Sequence, residues 1–138
     1  MTKKYLFSGA TGLQWQNAKI FPRHGICVPL FALRSCNNCG IGEILDLKAV
    51  IDFCSQVNMN IIQLLPLNDT DDDPSPYNPL SAFALDPIYL SLKQLPFLEE
   101  LPHLAAQLKI FAPFQSLKLL PRAEIKRKKM AWLYTYYE

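Results

Sequence analysis

Residues 61–92 have the sequence IIQLLPLNDTDDDPSPYNPLSAFALDPIYLSL. The first five residues are rich in branched apolar side chains, which is typical of a strand buried on both faces. Pro66 ends that run, and an acidic, turn-rich loop follows over residues 68–74. Open α/β folds and barrels place ligand sites in loops of this kind, at the end of a buried strand. The segment therefore predicts both a strand and a binding loop.

A second buried strand is predicted upstream, over residues 26–33, although Pro29 cannot donate a hydrogen bond to a neighbouring strand. A helix is predicted between the two strands, with Asp46 as its N-cap and Asn58 at its end. Apolar residues recur along it with the helical period, at Leu47, Val50, Ile51, Cys54 and Val57. Strand, helix and strand in this order predict a βαβ unit with parallel strands.

The regions on either side of this unit are less regular. Residues 1–22 predict an irregular arm, and prolines divide residues 93–121 into short pieces with a brief helix near 103–108. A last helix is predicted over residues 123–137. Its predicted packing side comprises Ile125, the stem of Lys129, Trp132, Leu133 and Tyr136. Its basic residues Lys126, Arg127 and Lys128 are predicted to be solvated.

A single βαβ unit supplies only two strands, whereas a parallel sheet needs several such units to cover both of its faces. The remaining residues predict no further strand of this kind, and the last helical pattern reaches Glu138 without a stop signal. We therefore expect the chain to be the beginning of a larger α/β fold.

The composition narrows the functional classes. Half of the 138 residues are apolar, which is enough for a core, and the net charge of +2 gives no reason to expect a nucleic-acid partner. The apolar runs are too short for a membrane span of roughly 20 residues or for a signal peptide. We expect a cytoplasmic chain with no membrane partner.

Four cysteines raise the question of a metal. His24 and Cys27, followed by Cys36 and Cys39, have the spacing of zinc ligands, so a four-ligand zinc site is one hypothesis. Cys27, however, lies in an apolar strand pattern, where a buried free thiol is more typical. Without a secretory signal, reduced cysteines are favoured. The sequence does not decide whether these four residues bind a metal ion. The expectation is a protein with neither a resident metal nor a cofactor.

The loop after the second strand offers two kinds of candidate residue. Its four aspartates could bind a hard cation or form a glycosidase pair, but the loop lacks the ligand pattern of an EF-hand and the rigid spacing that a carboxylate pair needs. A solvated turn is therefore favoured. Tyr77, between Pro76 and Pro79, has little backbone freedom, and rigid aromatic rings suit stacking on sugars. Whether Tyr77 contacts a sugar or packs beneath the loop stays open at this level.

The chain also resembles the N-terminal part of the 4-α-glucanotransferases, the amylomaltases or disproportionating enzymes of glycoside hydrolase family 77. The resemblance covers about residues 23–92, in the order in which the family has these motifs. The matching segments are RHGI (23–26), PLFALRS (29–35), GIG (40–42), DL (46–47), IQLLPLNDT (62–70), SPY (75–77) and SAFALDP (81–87).

This resemblance implies a fold. It implies a (β/α)8 barrel whose first strand is near residues 26–33 and whose second is at 61–65, so that the chain would be a truncated βαβ portion followed by short helices. All 138 residues would belong to one barrel domain. The implied parts are an N-terminal arm (1–22), the βαβ unit with its substrate loop (23–92) and a truncated helical insertion (93–138).

The resemblance also implies a function: transfer of an α-1,4-glucan segment to the 4-hydroxyl of an acceptor sugar by a retaining, two-carboxylate mechanism. Tyr77 matches a donor-side glucose contact of the family, with Ser75 as its neighbour in the substrate-binding site. The family's catalytic carboxylates would follow Glu138, so we assign no catalytic residue and expect the chain alone to be inactive. Whether a second polypeptide completes the barrel stays open at this level. The alternative is a non-catalytic carbohydrate-binding or interaction module.

Overall fold

The computed structural model describes residues 8–17 and 23–138. It contains two strands, β1 (Gly25–Val28) and β2 (Ile61–Leu64). Its α-helices are α1 (Gly12–Asn17), α2 (Leu47–Gln56), α3 (Pro102–Gln107) and α4 (Arg122–Tyr137). Short 3-10 turns occupy Leu30–Ala32, Ile44–Asp46, Pro87–Tyr89, Leu92–Gln94, Leu98–Glu100 and Leu108–Ser116. The predicted irregular arm lies partly outside the described residues, and the prediction is wrong for α1.

The two strands form a parallel pair, which confirms the predicted βαβ order. Gly25 lies opposite Ile61, and Val28 lies opposite Leu64. A Cβ atom added to Gly25 would lie 1.8 Å from the Ile61 carbonyl oxygen, so the strands can approach this closely only because that position is a glycine. β1 is shorter than predicted because Pro29 ends it and the chain turns into a 3-10 helix.

The ends of α2 are set by local hydrogen bonds. Asp46 precedes the helix as predicted, but its carboxylate accepts a hydrogen bond from the Glu43 N–H at 2.7 Å and so caps the preceding turn instead of α2. At the other end, Asn58 adopts a left-handed φ of 58° and the Met59 N–H donates to the Cys54 carbonyl at 2.8 Å. This is the Schellman arrangement that commonly ends helices.

The prediction that the βαβ unit is buried is wrong. Along each strand, exposed residues alternate with half-buried ones, and Cys27, predicted to be in the core, is exposed. In α2 only Cys54 is buried, whereas Ile51 is 53% exposed. Apolar patterning creates a face that can be buried, but burial also needs a partner. The described residues do not supply one for these faces.

Most of the core lies in the C-terminal half instead. It joins the loop after β1 to the turns of residues 87–116 and to α4. Among its most completely buried members are Leu30, Ile41, Ile88, Leu92, Phe111 and Ile125. α4 buries Ile125, Lys129, Trp132 and Leu133, and the brief helix near 103–108 is present as α3, so both of these predictions are confirmed. The Trp132 indole N–H donates to the Leu104 carbonyl at 3.1 Å and ties α4 to α3.

Candidate functional site

The segment after β2 forms a loop that closes on itself, from Leu67 to Asp86, which we call the 67–86 loop. Its ends are joined by a hydrogen bond of 2.9 Å from the Asp86 N–H to the Leu67 carbonyl. The Asp69 N–H donates to the Ala84 carbonyl at 3.0 Å, and the Leu80 N–H donates to the Asp69 carbonyl at 2.8 Å. These bonds satisfy several backbone groups of the loop internally and define its conformation.

Asp73 organises the tip of the 67–86 loop. Its carboxylate accepts hydrogen bonds from the Ser75 N–H at 2.7 Å and from the Asn78 side-chain amide at 2.9 Å. The bond from Asn78, followed by that from Ser75, lowers the pKa of the Asp73 carboxyl below its usual value. The Ser75 hydroxyl oxygen in turn accepts a hydrogen bond of 3.3 Å from the Tyr77 N–H. Asp73 therefore fixes the backbone on which both predicted site residues lie.

The two predicted site residues differ in exposure. Tyr77 is 66% exposed, whereas Ser75 is half-buried. The ring of Tyr77 is thus available to a ligand, and the alternative in which it packs beneath the loop does not hold in this structure. Two further apolar side chains of the same loop, Leu80 and Phe83, are 73% and 94% exposed.

Basic residues of α4 lie at the base of the loop. Lys126 lies 2.5 Å from an Asp69 carboxylate oxygen and 3.5 Å from a carboxylate oxygen of Asp86, and its side chain is only 13% exposed. Arg122 forms an ion pair with the same oxygen of Asp86. The prediction that Lys126 is solvated is therefore wrong. The prediction that the acidic loop is a solvated turn is wrong at Asp69. The hydrogen bond from Lys126 also lowers the pKa of the Asp69 carboxyl.

The sequence reasoning missed this cluster, although a signal was present. Arg122, Lys126 and Lys129 are spaced four and three residues apart, which places them along one face of a helix. That face also carries Ile125 and Trp132, which are buried. Cations on the packing side of a helix indicate buried acidic partners, because an unpaired buried charge costs several kcal/mol.

The two buried carboxylates of the described residues are both engaged with cations. Asp86 accepts a hydrogen bond from the Ile88 N–H at 3.0 Å, in addition to its contacts with Arg122 and Lys126. Glu43 lies 2.7 Å from the Lys129 ammonium. These contacts give both carboxylates a structural role, and neither has the free, opposed geometry that glycoside chemistry requires.

The residues of the zinc hypothesis do not converge. Cys27 and Cys36 are exposed, whereas Cys39 is buried and its pKa is raised to about 12, chiefly by burial. In residues 8–17 and 23–138, no three His, Cys, Asp or Glu side chains lie together in a way that could hold a metal ion. Within the same residues, no helix is both long enough and apolar enough to cross a membrane.

The fold and this loop define an α/β protein in which a parallel βαβ unit opens into an ordered polar loop with an exposed tyrosine. A family model described as 4-alpha-glucanotransferase matches residues 28–138, which include the whole loop and α4. The chain belongs to this family, as its resemblance indicated.

Curated relatives agree with this assignment. A 4-alpha-glucanotransferase of Chlamydia pneumoniae is 41% identical over 135 residues, which cover 98% of this chain and 26% of the relative. One of Chlamydia caviae is 42% identical over 124 residues, or 90% of this chain and 23% of the relative. A rice protein named 4-alpha-glucanotransferase DPE2 is 43% identical over 76 residues, covering 51% and 8% of the two chains. The chain thus spans about a quarter of the length of its chlamydial relatives.

Proposed function

We propose that this chain supplies a donor-side sugar-binding loop of a 4-alpha-glucanotransferase, an enzyme that transfers a segment of an α-1,4-glucan to the 4-hydroxyl of an acceptor glucan. The observation that carries the proposal is the 66% exposure of Tyr77 on a backbone fixed by Asp73 and Ser75, inside the family-matched segment. A tyrosine ring combines an apolar face for a pyranose ring with a hydroxyl that can bond to sugar hydroxyls.

Preorganisation favours this use of the loop. A side chain that must be ordered on binding costs about 0.5–1.5 kcal/mol, and a loop that is already hydrogen-bonded avoids part of that cost. The Ser75 hydroxyl oxygen accepts a hydrogen bond from the Tyr77 N–H, and this bond does not use the hydroxyl proton of Ser75. It can therefore be donated to a sugar oxygen next to the tyrosine ring.

We assign the chain to the first βαβ portion of a (β/α)8 barrel, with residues 1–22 as an arm, 23–92 as the βαβ unit and substrate loop, and 93–138 as a helical insertion. The exposed apolar residues Ile51, Phe53 and Ile61 support this assignment, because parallel strands and their crossover helices are normally covered. The rest of the family's length, in a longer chain or in a second polypeptide, would provide that cover.

The chemistry then needs carboxylates from outside these residues. A retaining transfer uses one carboxylate to attack the anomeric carbon and a second to protonate the leaving oxygen, about 5–5.5 Å away. Glu43 and Asp86, which are paired with cations, suit neither role. We therefore expect the purified chain not to redistribute maltotriose. Formation of glucose and longer maltooligosaccharides by the chain alone would contradict this part of the proposal.

The binding role is tested by titrating the chain with maltoheptaose and measuring the Kd by calorimetry or NMR. Tyr77→Ala should weaken binding about tenfold or more, equivalent to about 1.4 kcal/mol, because the stacking face is lost. Tyr77→Phe should keep most of the affinity. Tyr134→Ala is the matched control, since Tyr134 is 67% exposed but lies on α4.

Three results would change the interpretation. Unchanged affinity in Tyr77→Ala, or an equal loss in Tyr134→Ala, would overturn the proposed site. Binding that depends on Tyr77, but with no transfer by the complete protein that contains this chain, would support the non-catalytic carbohydrate-binding module instead.

A further inference from the structure

The 67–86 loop is held at its base by two cations of α4. Arg122 donates to the Asp71 carbonyl at 2.7 Å and forms an ion pair with Asp86. Lys126, one helical turn later, donates to an Asp69 carboxylate oxygen at 2.5 Å and to the same Asp71 carbonyl at 3.2 Å. Each of these side chains thus contacts both a carboxylate and the backbone of the loop.

The surroundings make these contacts stronger than ordinary surface pairs. The side chains of Arg122 and Lys126 are 13% exposed, and that of Asp86 is 0% exposed. Exposed ion pairs contribute little because water and salt screen them, and that screening is weaker where the partners are shielded. The loss of either cation would also leave the buried negative charge of Asp86 with one fewer positively charged partner.

Asp71 is the point at which the two cations converge. Its φ of 52° is in the left-handed region, which is uncommon for residues other than glycine and strains the backbone. Its carbonyl accepts hydrogen bonds from both Arg122 and Lys126, and its N–H donates to the Asp69 carboxylate at 2.9 Å. The ion-pair cluster therefore holds the turn in a conformation that the backbone alone disfavours.

A continuous set of bonds runs from this turn to the tip. The Asp73 N–H donates to the Thr70 carbonyl at 3.0 Å, and the Thr70 hydroxyl donates to the Asp73 carbonyl at 2.7 Å. Thr70 is buried, so this link is shielded from water. Asp73 then fixes Ser75, and Ser75 fixes the Tyr77 backbone. The position of the exposed tyrosine is thereby coupled to the base of the loop.

α4 is anchored independently of the loop. Lys129 bonds to Glu43 at 2.7 Å and to the Ile88 carbonyl at 2.6 Å, while Trp132 and Ile125 are buried in the core. The helix is therefore a fixed support against which the loop can be held.

We propose that Arg122 and Lys126 are positioning residues for the sugar-binding loop, acting through Asp69, Asp71 and Asp86 to hold Ser75 and Tyr77 in their binding geometry. Their effect on sugar affinity rests on the proposed function, whereas their effect on loop order does not. Neither residue needs to touch the sugar.

The experiment compares Lys126→Gln and Arg122→Gln with Arg127→Gln, a control on the same helix whose side chain is exposed. Lys126→Arg keeps the positive charge but presents its N–H donors on a larger, planar group, and so separates the role of the charge from that of the ammonium geometry. Amide hydrogen exchange of residues 70–78 measures loop order, exchange of residues 108–114 measures the core, and titration with maltoheptaose measures binding. All are done on the full chain.

We expect Lys126→Gln and Arg122→Gln to reduce protection in residues 70–78 about tenfold or more, while residues 108–114 keep theirs. The Kd for maltoheptaose should rise by a similar factor. Lys126→Arg should keep most of the loop protection and most of the affinity for maltoheptaose. Arg127→Gln should change neither of these quantities.

Unchanged exchange in residues 70–78 would overturn the positioning role, whatever happens to sugar binding. An equal loss of protection in the loop and in the core would also overturn it, because it would show a general structural role. Loss of loop protection in a chain whose wild type binds no maltoheptaose would support the positioning role and contradict the proposed function.

Discussion

The strand half of the chain, residues 25–64, and the helical half, residues 86–137, differ in how they bury apolar side chains. The strand half has regular strands and an amphipathic helix, yet Ile51, Phe53 and Ile61 are each more than 40% exposed. The helical half consists largely of short turns, yet it contains most of the buried core. Regular secondary structure can therefore form without a closed core, because backbone hydrogen bonds do not require that the side chains are packed.

The long helices of the two halves also differ in their use of charge. Lys129 of α4 contacts Glu43, which lies 86 positions earlier in the sequence, in the loop after β1, and is itself buried. The same ammonium donates to the Ile88 and Leu90 carbonyls. In the strand half, charged side chains such as Lys48 and Asp52 lie on exposed positions of α2. The following experiments test this contrast, beginning with the largest expected effect.

Thiol labelling compares an exposed cysteine of β1 with a cysteine that is buried in the core. Cys27, exposed on β1, should react rapidly with a disulfide reagent at pH 8, together with Cys36. Cys39 should react roughly a thousandfold more slowly than an ordinary thiol, since burial raises its pKa from 9.0 to about 12 and only the thiolate reacts. Mass spectrometry of peptides after timed labelling gives the rates. Equal rates at Cys27 and Cys39 in the native chain would contradict the assigned core.

Lys129→Met tests the buried ion pair that joins α4 to the loop after β1. Loss of the ammonium leaves Glu43 buried without its cation, which typically costs about 3–5 kcal/mol. The free energy of unfolding in urea measures this change. The double variant with Glu43→Gln should recover a large part of the loss, because the neutral amide oxygen can still accept the Cys39 N–H. If the double variant recovers no stability, the loss comes mainly from the three missing contacts of Lys129 and not from the unpaired charge of Glu43.

A pair of phenylalanines gives the most direct test of the contrast in packing. Phe111→Ala should destabilise the chain by about 3–5 kcal/mol, since Phe111 is 1% exposed in the core. Phe53→Ala should cost less than about 1 kcal/mol, since Phe53 is 52% exposed on α2. Both values come from urea unfolding curves of the chain. Similar losses for the two variants would show that a partner covers α2 in solution.

Acid should weaken the chain by a small amount through Asp69. Its folded pKa is lowered by the hydrogen bond from Lys126, so its contribution is fully present above the ordinary aspartate pKa of about 3.9. That contribution is lost as the pH falls through the lower, folded pKa. Lys126→Gln should therefore flatten the pH dependence of unfolding below about pH 5, whereas Arg127→Gln should leave it unchanged. An unchanged slope in Lys126→Gln would argue against this ion pair.

The sequence was enough for the elements with strong local signals. The parallel βαβ order, α2, α3 and α4 were all predicted, because each depends on periodicity, on proline positions and on caps that lie within a few residues. The matching motifs likewise identified the family, and they named Tyr77 and Ser75, whose contact with sugar stays a prediction. The early end of β1 at Pro29 was a local signal that the prediction underweighted.

Tertiary structure alone decided which of these faces are buried and which charges are paired. Cys27 and Cys39 look alike as cysteines of a short motif, yet one is exposed and the other buried, because only the loop after β1 packs against α4 and its neighbouring turns. Lys126 and Arg127 are adjacent in one basic run, but a helix turns by about 100° per residue, so that only Lys126 faces the loop. Such partners are far apart in the sequence, so a pattern of neighbouring residues does not predict that they come into contact.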